Sequence, residues 1–377
     1  MGCYENKNCG GCVFRNLTIS DYRLKKEESV RALLEQNLGD LRNIWQKPVF
    51  IDDGTRRRAS FAFELKKGVF KLGFNENKSH EIIDIKHCFA LTEEINTVLP
   101  ALKDFLQKFC AIKEVKRTKG KKFSNYQILS GDILVLSAQN GIDIVLESAE
   151  ELTLDHRLLI SEFVATEKNI IRFSYRSKHT ALAETIVQKI KPYVIIGQTP
   201  VFVSAGDFLQ ASEEGEKALL NLVLEYIEDV QGNMADLFCG IGTFSYALSK
   251  LPKTHVTAAD ISPALLENFQ KSTNAQMIQN IKIVKQNLFL YPMEANELEN
   301  FDVIVFDPPR AGAIEQVREI CKTKVSKIIA VSCNIKTFAR DAKLLLSAGF
   351  ILKKLTMVDQ FVYSDHSEVV ALFTNQK

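Results

Sequence analysis

Long apolar runs are missing from this 377-residue chain. No stretch approaches the roughly 18–20 residues that a helical membrane span needs, so no helical span is expected. The opening residues, Met1 to Lys7, hold no basic segment followed by an apolar one, so no secretory signal is expected. Asn6 stands where a myristoylation motif after Gly2 would want Ser or Thr. Net charge is nearly absent as well: 48 Lys and Arg face 46 Asp and Glu, and the resulting +2 announces no nucleic acid by itself. Internal repeats and low-complexity segments are lacking. These absences point to a cytoplasmic protein with no membrane partner. In that compartment the eight cysteines are not a disulfide framework, because thiols there are kept reduced.

What is present is ordinary globular composition, 46% hydrophobic and 25% charged, at a length that suits two domains with a small appendage. The cations are clustered. Eight Lys and Arg lie between Lys103 and Lys122, and Arg56, Arg57 and Arg58 are followed by Lys66, Lys67 and Lys71. Such clusters suit a phosphate backbone, although a solvated basic face reads the same way from charge alone.

Three textures follow one another. Residues 1–48 open with a Cys/Gly-rich loop and pass into a helical pattern in which Tyr22, Leu24, Val30, Leu33, Leu34 and Leu38 alternate with charges. Residues 49–198 look β-rich. Alternation runs through Ala59–Leu65 and Val69–Phe74, a hairpin joins residues 133–137 to 142–146, and a helix interrupts near 91–110. Residues 199–377 change to a strand–loop–helix rhythm, with short apolar strands ending near Phe238, Ala259, Phe306 and Ser332. Ser262 and Pro263 form an N-cap and N1 pair. This rhythm predicts a parallel, doubly wound α/β sheet.

The loops at the carboxyl ends of those strands carry the chemistry. In DLFCGIGTFS (Asp236–Ser245), Gly240 and Gly242 allow a tight turn beneath a ligand, and a helix follows. A dinucleotide fingerprint would want a third glycine where Ser245 stands, so a ligand without pyrophosphate fits better. Asp260 ends the next strand, where a carboxylate can accept two ribose hydroxyls. Together these predict a nucleoside cofactor. DPPR (Asp307–Arg310) stiffens a loop with two prolines, fixing a carboxylate and Arg310 at the edge of a site. Cys333 follows one strand later, better placed for chemistry than most thiols, although a small buried hydrophobe is the commoner use of cysteine. Near the amino terminus Cys3, Cys9 and Cys12 give C-x5-C-x2-C, and Cys88 follows. Three close thiols and a distant fourth suit a tetrahedral metal site, and spacing alone leaves zinc and an iron–sulfur cluster both open. Cys110, Cys239 and Cys321 read as buried or half-buried thiols, and His80 and His87 as structural histidines.

The motifs DLFCGIGTFS, DPPR, VSCN (Val331–Asn334) and HSEVVALF (His366–Phe373), in this order and spacing, resemble the uracil-C5 RNA methyltransferases over nearly the whole chain. The resemblance implies a Rossmann-like domain dependent on S-adenosylmethionine (SAM), a central β-rich RNA-binding domain and an amino-terminal iron–sulfur loop. It implies that Cys333 adds as a thiolate to C6 of a uridine, since C5 of uracil is a poor nucleophile until C4–C5 becomes an enolate. It places Glu368 as the base that removes the C5 proton, where the residues alone suggest a solvent-facing strand position. Gln210, Phe238, Thr243, Asp260 and Asp307 match the family's residues around the cofactor and the uracil edge, with Thr243 and Asp260 standing where members also carry Asn and Glu. The cysteines Cys3, Cys9, Cys12 and Cys88 match ligands of a [4Fe–4S] cluster. Cys3 lies so near the start that the β-barrel RNA-binding module of many members is not expected, which favours the short branch acting on 23S rRNA over the tRNA T-loop enzymes. Phe361 and Tyr363 are candidate stacking aromatics for an extruded base, with core packing as the alternative. A monomer is expected. A small-molecule methyltransferase and a non-catalytic RNA-binding protein are the competing classes.

Overall fold

A computed structural model of the chain describes residues 9–117, 123–180 and 182–375. The chain forms two compact units. One holds the chain up to Asn16, Asp53–Val194 and Val203–Leu209; the other holds Leu17–Asp52, Ile195–Phe202 and Gln210–Lys377. The division departs from the sequence reading at one place in particular: the helix Ile19–Leu38 joins the carboxyl-terminal unit and leaves the cysteine loop. The reason is its buried stripe. Tyr22, Lys26, Val30 and Leu34 recur every four residues, and Val30 and Leu34 enter the same apolar core as the strands Gly232–Leu237 and Lys327–Ser332. Fully burying a leucine such as Leu34 contributes about 1.5–3 kcal/mol. Thr18 starts the helix by accepting from Asp21 N, and Gly39, at φ 87°, ends it with its N–H on Glu35 O.

The first unit is built on a seven-stranded sheet in the order Glu184–Gln188, Ile170–Ser177, Gly141–Ser148, Ser130–Ala138, Arg58–Lys66, Val69–Asn75, Ile82–Asp84. All pairs are antiparallel except Gly141–Ser148 with Ile170–Ser177, which the helix Leu154–Thr166 connects. The predicted helix near 91–110 spans Glu93–Ala111 and buries Leu99, Leu102, Leu106 and Phe109 with strand residues Phe61 and Ile133. Part of the basic stretch is neutralised: Lys103 bonds Asp84 and Lys108 pairs with Asp104. Lys119, Lys121 and Lys122 lie outside the described residues. Arg57 of the second cluster is buried, so that cluster is not a simple solvated face.

The second unit carries an eight-stranded sheet in the order Val49–Phe50, Ile351–Asp359, Glu368–Thr374, Lys327–Ser332, Val303–Phe306, Gly232–Leu237, Thr254–Asp260, Ile281–Lys285. The sheet is parallel apart from Glu368–Thr374, which runs against both its neighbours. The expected wholly parallel sheet is therefore corrected to a mixed one. Only eight residues separate Asp359 from Glu368, too few for a parallel crossover, so the chain turns straight back. The strand order reverses beside Gly232–Leu237, because the chain moves outward to one side through Ile281–Lys285 and then resumes on the other side at Val303–Phe306. Such a switch point opens a crevice at the carboxyl ends of the strands.

Candidate active site

The residues singled out in the sequence gather at that edge of the sheet. Phe238 follows the strand Gly232–Leu237, Asp260 ends Thr254–Asp260, Asp307 follows Val303–Phe306, and Cys333 follows Lys327–Ser332. The antiparallel direction of Glu368–Thr374 brings its first residue, Glu368, to the same edge, paired with Val358 two residues before Gln360. Gln210 comes from the loop ahead of the helix Glu213–Ile227, and its Nε2 faces Asp307 Oδ2 at 3.5 Å.

The cofactor end is shaped by backbone. Phe238 has φ 63°, a conformation that costs a non-glycine residue about 1 kcal/mol or more and that recurs at functional sites. Its ring lies 5.3 Å from that of Phe289. Asp260 is oriented by two amides: its Oδ2 accepts from Gly240 N at 3.0 Å and its Oδ1 from Ser262 N at 2.9 Å. Each oxygen keeps a second lone pair, so the shorter side chain still suits a vicinal diol. A Cβ on Gly240 would meet only open space, whereas one on Gly242 would lie 2.5 Å from the Phe269 ring. The first glycine thus leaves room for a ligand and the second permits helix packing. Ser245, at the place of the missing third glycine, donates to the buried Asp236 at 2.5 Å. Burial pushes Asp236 up to about 7. Thr243 is half-buried in the turn. Motif reading passed over the exposed apolar Ile261, whose signal is its place directly after the strand-end Asp260, and Phe289, which is distant in sequence and reaches Phe238 only through the fold. The set fits a nucleoside cofactor: Asp260 for the ribose, the Gly240 turn for close approach, and apolar side chains for a base.

The reactive end centres on Cys333. Asn334, the N-cap of the helix Ile335–Ser347, accepts from Lys336 N and donates through Nδ2 to Arg310 O at 2.9 Å, tying the cysteine turn to the DPPR loop. A cavity of about 410 Å³ opens here, lined among others by Val30, Arg310, Cys333, Lys336 and His366. Arg310 Nη2 lies 2.8 Å from His366 Nε2, tying the DPPR loop to the segment ahead of Glu368. Burial, followed by the carboxylates of Glu368 and Asp307, pushes the Cys333 thiol up to about 11, with Arg310 pulling the other way. Glu368 is buried, and burial together with Asp307 raises its carboxyl, against a donated hydrogen bond from Gln360 Nε2 at 2.6 Å. Enclosure by protein likewise raises Asp307, and Gln210 opposes it. The expected solvent-facing position of Glu368 is therefore not what the fold provides.

Two expectations resolve differently. Tyr363 stacks on Tyr22 at 4.5 Å, so one of its faces is taken by packing; Phe361 meets His366 edge-on at 6.0 Å. The residues missed by sequence reading include Gln360, which bridges Gln210 and Glu368, and the buried Lys26 and Tyr22, both bonded to Asp359. In the first unit Phe208 is 64% exposed with the Arg58 guanidinium 5.2 Å above its ring.

Cys9, Cys12 and Cys88 are half-buried in the first unit. Gly10 N donates to Asn75 O, and Asn96 clasps both the N–H and the carbonyl of Cys88. Cys88 is pushed up to about 11 by burial and, less strongly, by Cys12 and Cys9. Cys3 lies outside the described residues. Among the described residues no group of three or more His, Cys, Asp or Glu is arranged to hold a metal ion.

Comparison with known proteins agrees with this geometry. The profile of the tRNA (uracil-5-)-methyltransferase family matches residues 22–376. An RNA methyltransferase of Brucella melitensis is 33% identical over 374 residues, covering 99% of this chain and 83% of that protein. The 23S rRNA (uracil(1939)-C(5))-methyltransferase of Mannheimia succiniciproducens is 27% identical over 99% of this chain and 81% of its own length. Among solved structures, the tRNA (uracil-54, C5)-methyltransferase of Pyrococcus abyssi, in complex with S-adenosyl-L-homocysteine, superposes with a TM-score of 0.73 at 19% identity, over 98% of this chain and 87% of that one; it shares the fold. Strand-end motifs, family profile and full-length relatives converge: the chain belongs to the tRNA (uracil-5-)-methyltransferase family and is a SAM-dependent RNA (uracil-C5)-methyltransferase.

Proposed function

We propose that the protein methylates C5 of one uridine in 23S rRNA through a covalent bond between Cys333 Sγ and C6 of the base. The observation that carries the chemistry is the meeting of Cys333, Glu368, Asp307 and Gln210 at one edge of one sheet, with Cys333 lining a cavity large enough for a base. Asp260, Phe238, Thr243 and the Gly240 turn hold the cofactor, which supplies an electrophilic methyl group. Cys333 adds to C6, and the C5–C6 electron pair moves toward O4 as an enolate. Gln210, whose Oε1 is held by Gln360, presents its Nε2 as the donor end for that oxygen. Once C5 carries the methyl group, Glu368 takes the C5 proton, the C5–C6 double bond re-forms, and sulfur leaves as thiolate.

Support for the 23S rRNA target comes from the Mannheimia relative, which aligns along nearly the whole chain. The exposed Phe208 beneath Arg58 suits stacking of an unpaired base, the usual way single-stranded RNA is gripped. Cys3, Cys9, Cys12 and Cys88 are proposed to hold a [4Fe–4S] cluster that pins the amino terminus. Their spacing and the family resemblance support this, and iron and labile sulfide assays on anaerobically purified protein test it.

The deciding experiment maps 5-methyluridine by mass spectrometry in 23S rRNA and tRNA from cells lacking the gene, rescued with wild type or Cys333→Ala. Loss of one 23S rRNA methyl group, restored by wild type alone, is expected. Loss from tRNA instead would move the target to the T-loop. Rescue by Cys333→Ala would remove the covalent mechanism.

A further inference from the structure

The buried amide of Gln360 is not needed to fill space alone, because both its donors are spent on site residues. Its Nε2 donates to Gln210 Oε1 at 2.8 Å and to Glu368 Oε1 at 2.6 Å. Gln210 in turn faces Asp307, so a continuous line of side chains runs from Asp307 through Gln210 and Gln360 to Glu368. Gln360 is fully buried, and its Oε1 has no hydrogen-bond partner among the described residues. The position is crowded: a Cβ on Gly215 would lie 2.6 Å from Gln360 Cβ and Oε1. Glu368 Oε2 is also buried without a partner among the described residues. Turned over, the amide would set Oε1 against two acceptor oxygens, so the orientation with Nε2 toward Gln210 and Glu368 is the one the hydrogen bonds favour.

We propose that Gln360 is a positioning residue for proton abstraction: it fixes Glu368 by Oε1 and leaves Oε2 as the oxygen that receives the C5 proton. The inference rests on the reading of Glu368 as base. In the step it serves, the C5–H bond breaks and its proton passes to Glu368 Oε2. The C–H electron pair forms the C5–C6 double bond, and the C6–S bond breaks with its pair on Cys333. Gln360 touches none of the reacting atoms. It acts by holding one carboxylate oxygen and by favouring the charged form, through a hydrogen bond that opposes the effects of burial and Asp307.

The test uses full-length enzyme, radiolabelled SAM and an in vitro 23S rRNA transcript, with a tRNA transcript in parallel. Denaturing electrophoresis measures the protein–RNA adduct that carries label. Glu368→Gln is the reference: it should trap the methylated adduct, because transfer proceeds and elimination does not. Gln360→Met, which keeps length and loses both donors, should slow release of methylated RNA at least tenfold while single-turnover methyl transfer changes less than threefold. The acid limb of its release profile should move to higher pH, which a purely structural defect would not do. Gln360→Glu keeps the shape should Met disturb folding, and it should move that limb further in the same direction. Release at the wild-type rate and pH dependence in both Gln360 variants, with the adduct trapped in Glu368→Gln, overturns the role of Gln360 alone. Absence of any trapped adduct in Glu368→Gln overturns the base assignment and this inference with it.

Discussion

Cys333, the proposed nucleophile, should be nearly inert until substrate arrives. Burial and the carboxylates of Glu368 and Asp307 push the Cys333 thiol from its ordinary 9.0 to about 11. At pH 8 the thiolate fraction is then roughly one in a thousand, against roughly one in ten for an ordinary thiol. A more basic thiolate is the better nucleophile, and with a Brønsted slope of about 0.4–0.5 the difference returns roughly eightfold. Alkylation of Cys333 by iodoacetamide in the free enzyme should therefore run roughly tenfold slower at pH 8 than in the denatured chain. Quenched time points analysed by mass spectrometry separate the Cys333 peptide from those of the other cysteines. The rate should climb steadily with pH to about 10 without a plateau. Removing a negative neighbour with Glu368→Gln should speed the reaction, and removing the opposing cation with Arg310→Gln should slow it. A plateau below pH 9, or a rate equal to that of the denatured chain, would refute the reasoning and place a preformed thiolate in the resting site. The inert thiol has a chemical sense, because a buried thiolate beside two carboxylates would invite oxidation between turnovers.

Four further outcomes follow from the same structure. Gly242→Ala places a Cβ 2.5 Å from the Phe269 ring at φ 91° and should cost roughly 2 kcal/mol or more by urea denaturation. Gly240→Ala, at φ 56° with open space around it, should cost about 1 kcal/mol yet weaken S-adenosylhomocysteine binding by calorimetry. Lys26→Met strands the buried Asp359 and should destabilise by about 3 kcal/mol, with part recovered in the double variant with Asp359→Asn. Asp236 has a folded value, about 7, above its ordinary 3.8, so its contribution to stability is fully present at low pH and is lost as pH rises between about 4 and 7. Asp236→Asn should make the thermal-unfolding profile shallower over that window; an unchanged slope would mean the carboxyl is not held in its protonated form.

The cofactor turn, the DPPR loop and the cysteine turn were legible because each occupies a strand end, where one short string encodes both the apolar run and the turn that stops it, whereas Glu368 was reached only through the family resemblance. Asp236–Ser245, Asp307–Arg310 and Val331–Asn334 each read this way, and the fold sets all three along one edge. The groups that tune them were not legible, for a reason of separation. Gln360 lies 150 residues from Gln210, and Lys26 lies 333 residues from Asp359. No local period links such partners. Helical periodicity sets Lys26 on the stripe of Tyr22, Val30 and Leu34, but it does not reveal what would accept a buried ammonium there; the residue is 1% exposed, a placement that only a matching buried carboxylate makes tolerable. The same holds for the antiparallel strand that delivers Glu368: its composition suits any buried strand, and only the short return from Asp359 fixes its direction. The proposed chemistry is thus written largely in contiguous residues at strand ends, whereas the side chains that hold it in place are brought together from distant parts of the chain. Lys26 and Asp359 make the point physically: the ion pair anchors the residue directly ahead of Gln360, so an amino-terminal helix that carries no reacting group steadies the loop from which the base is held.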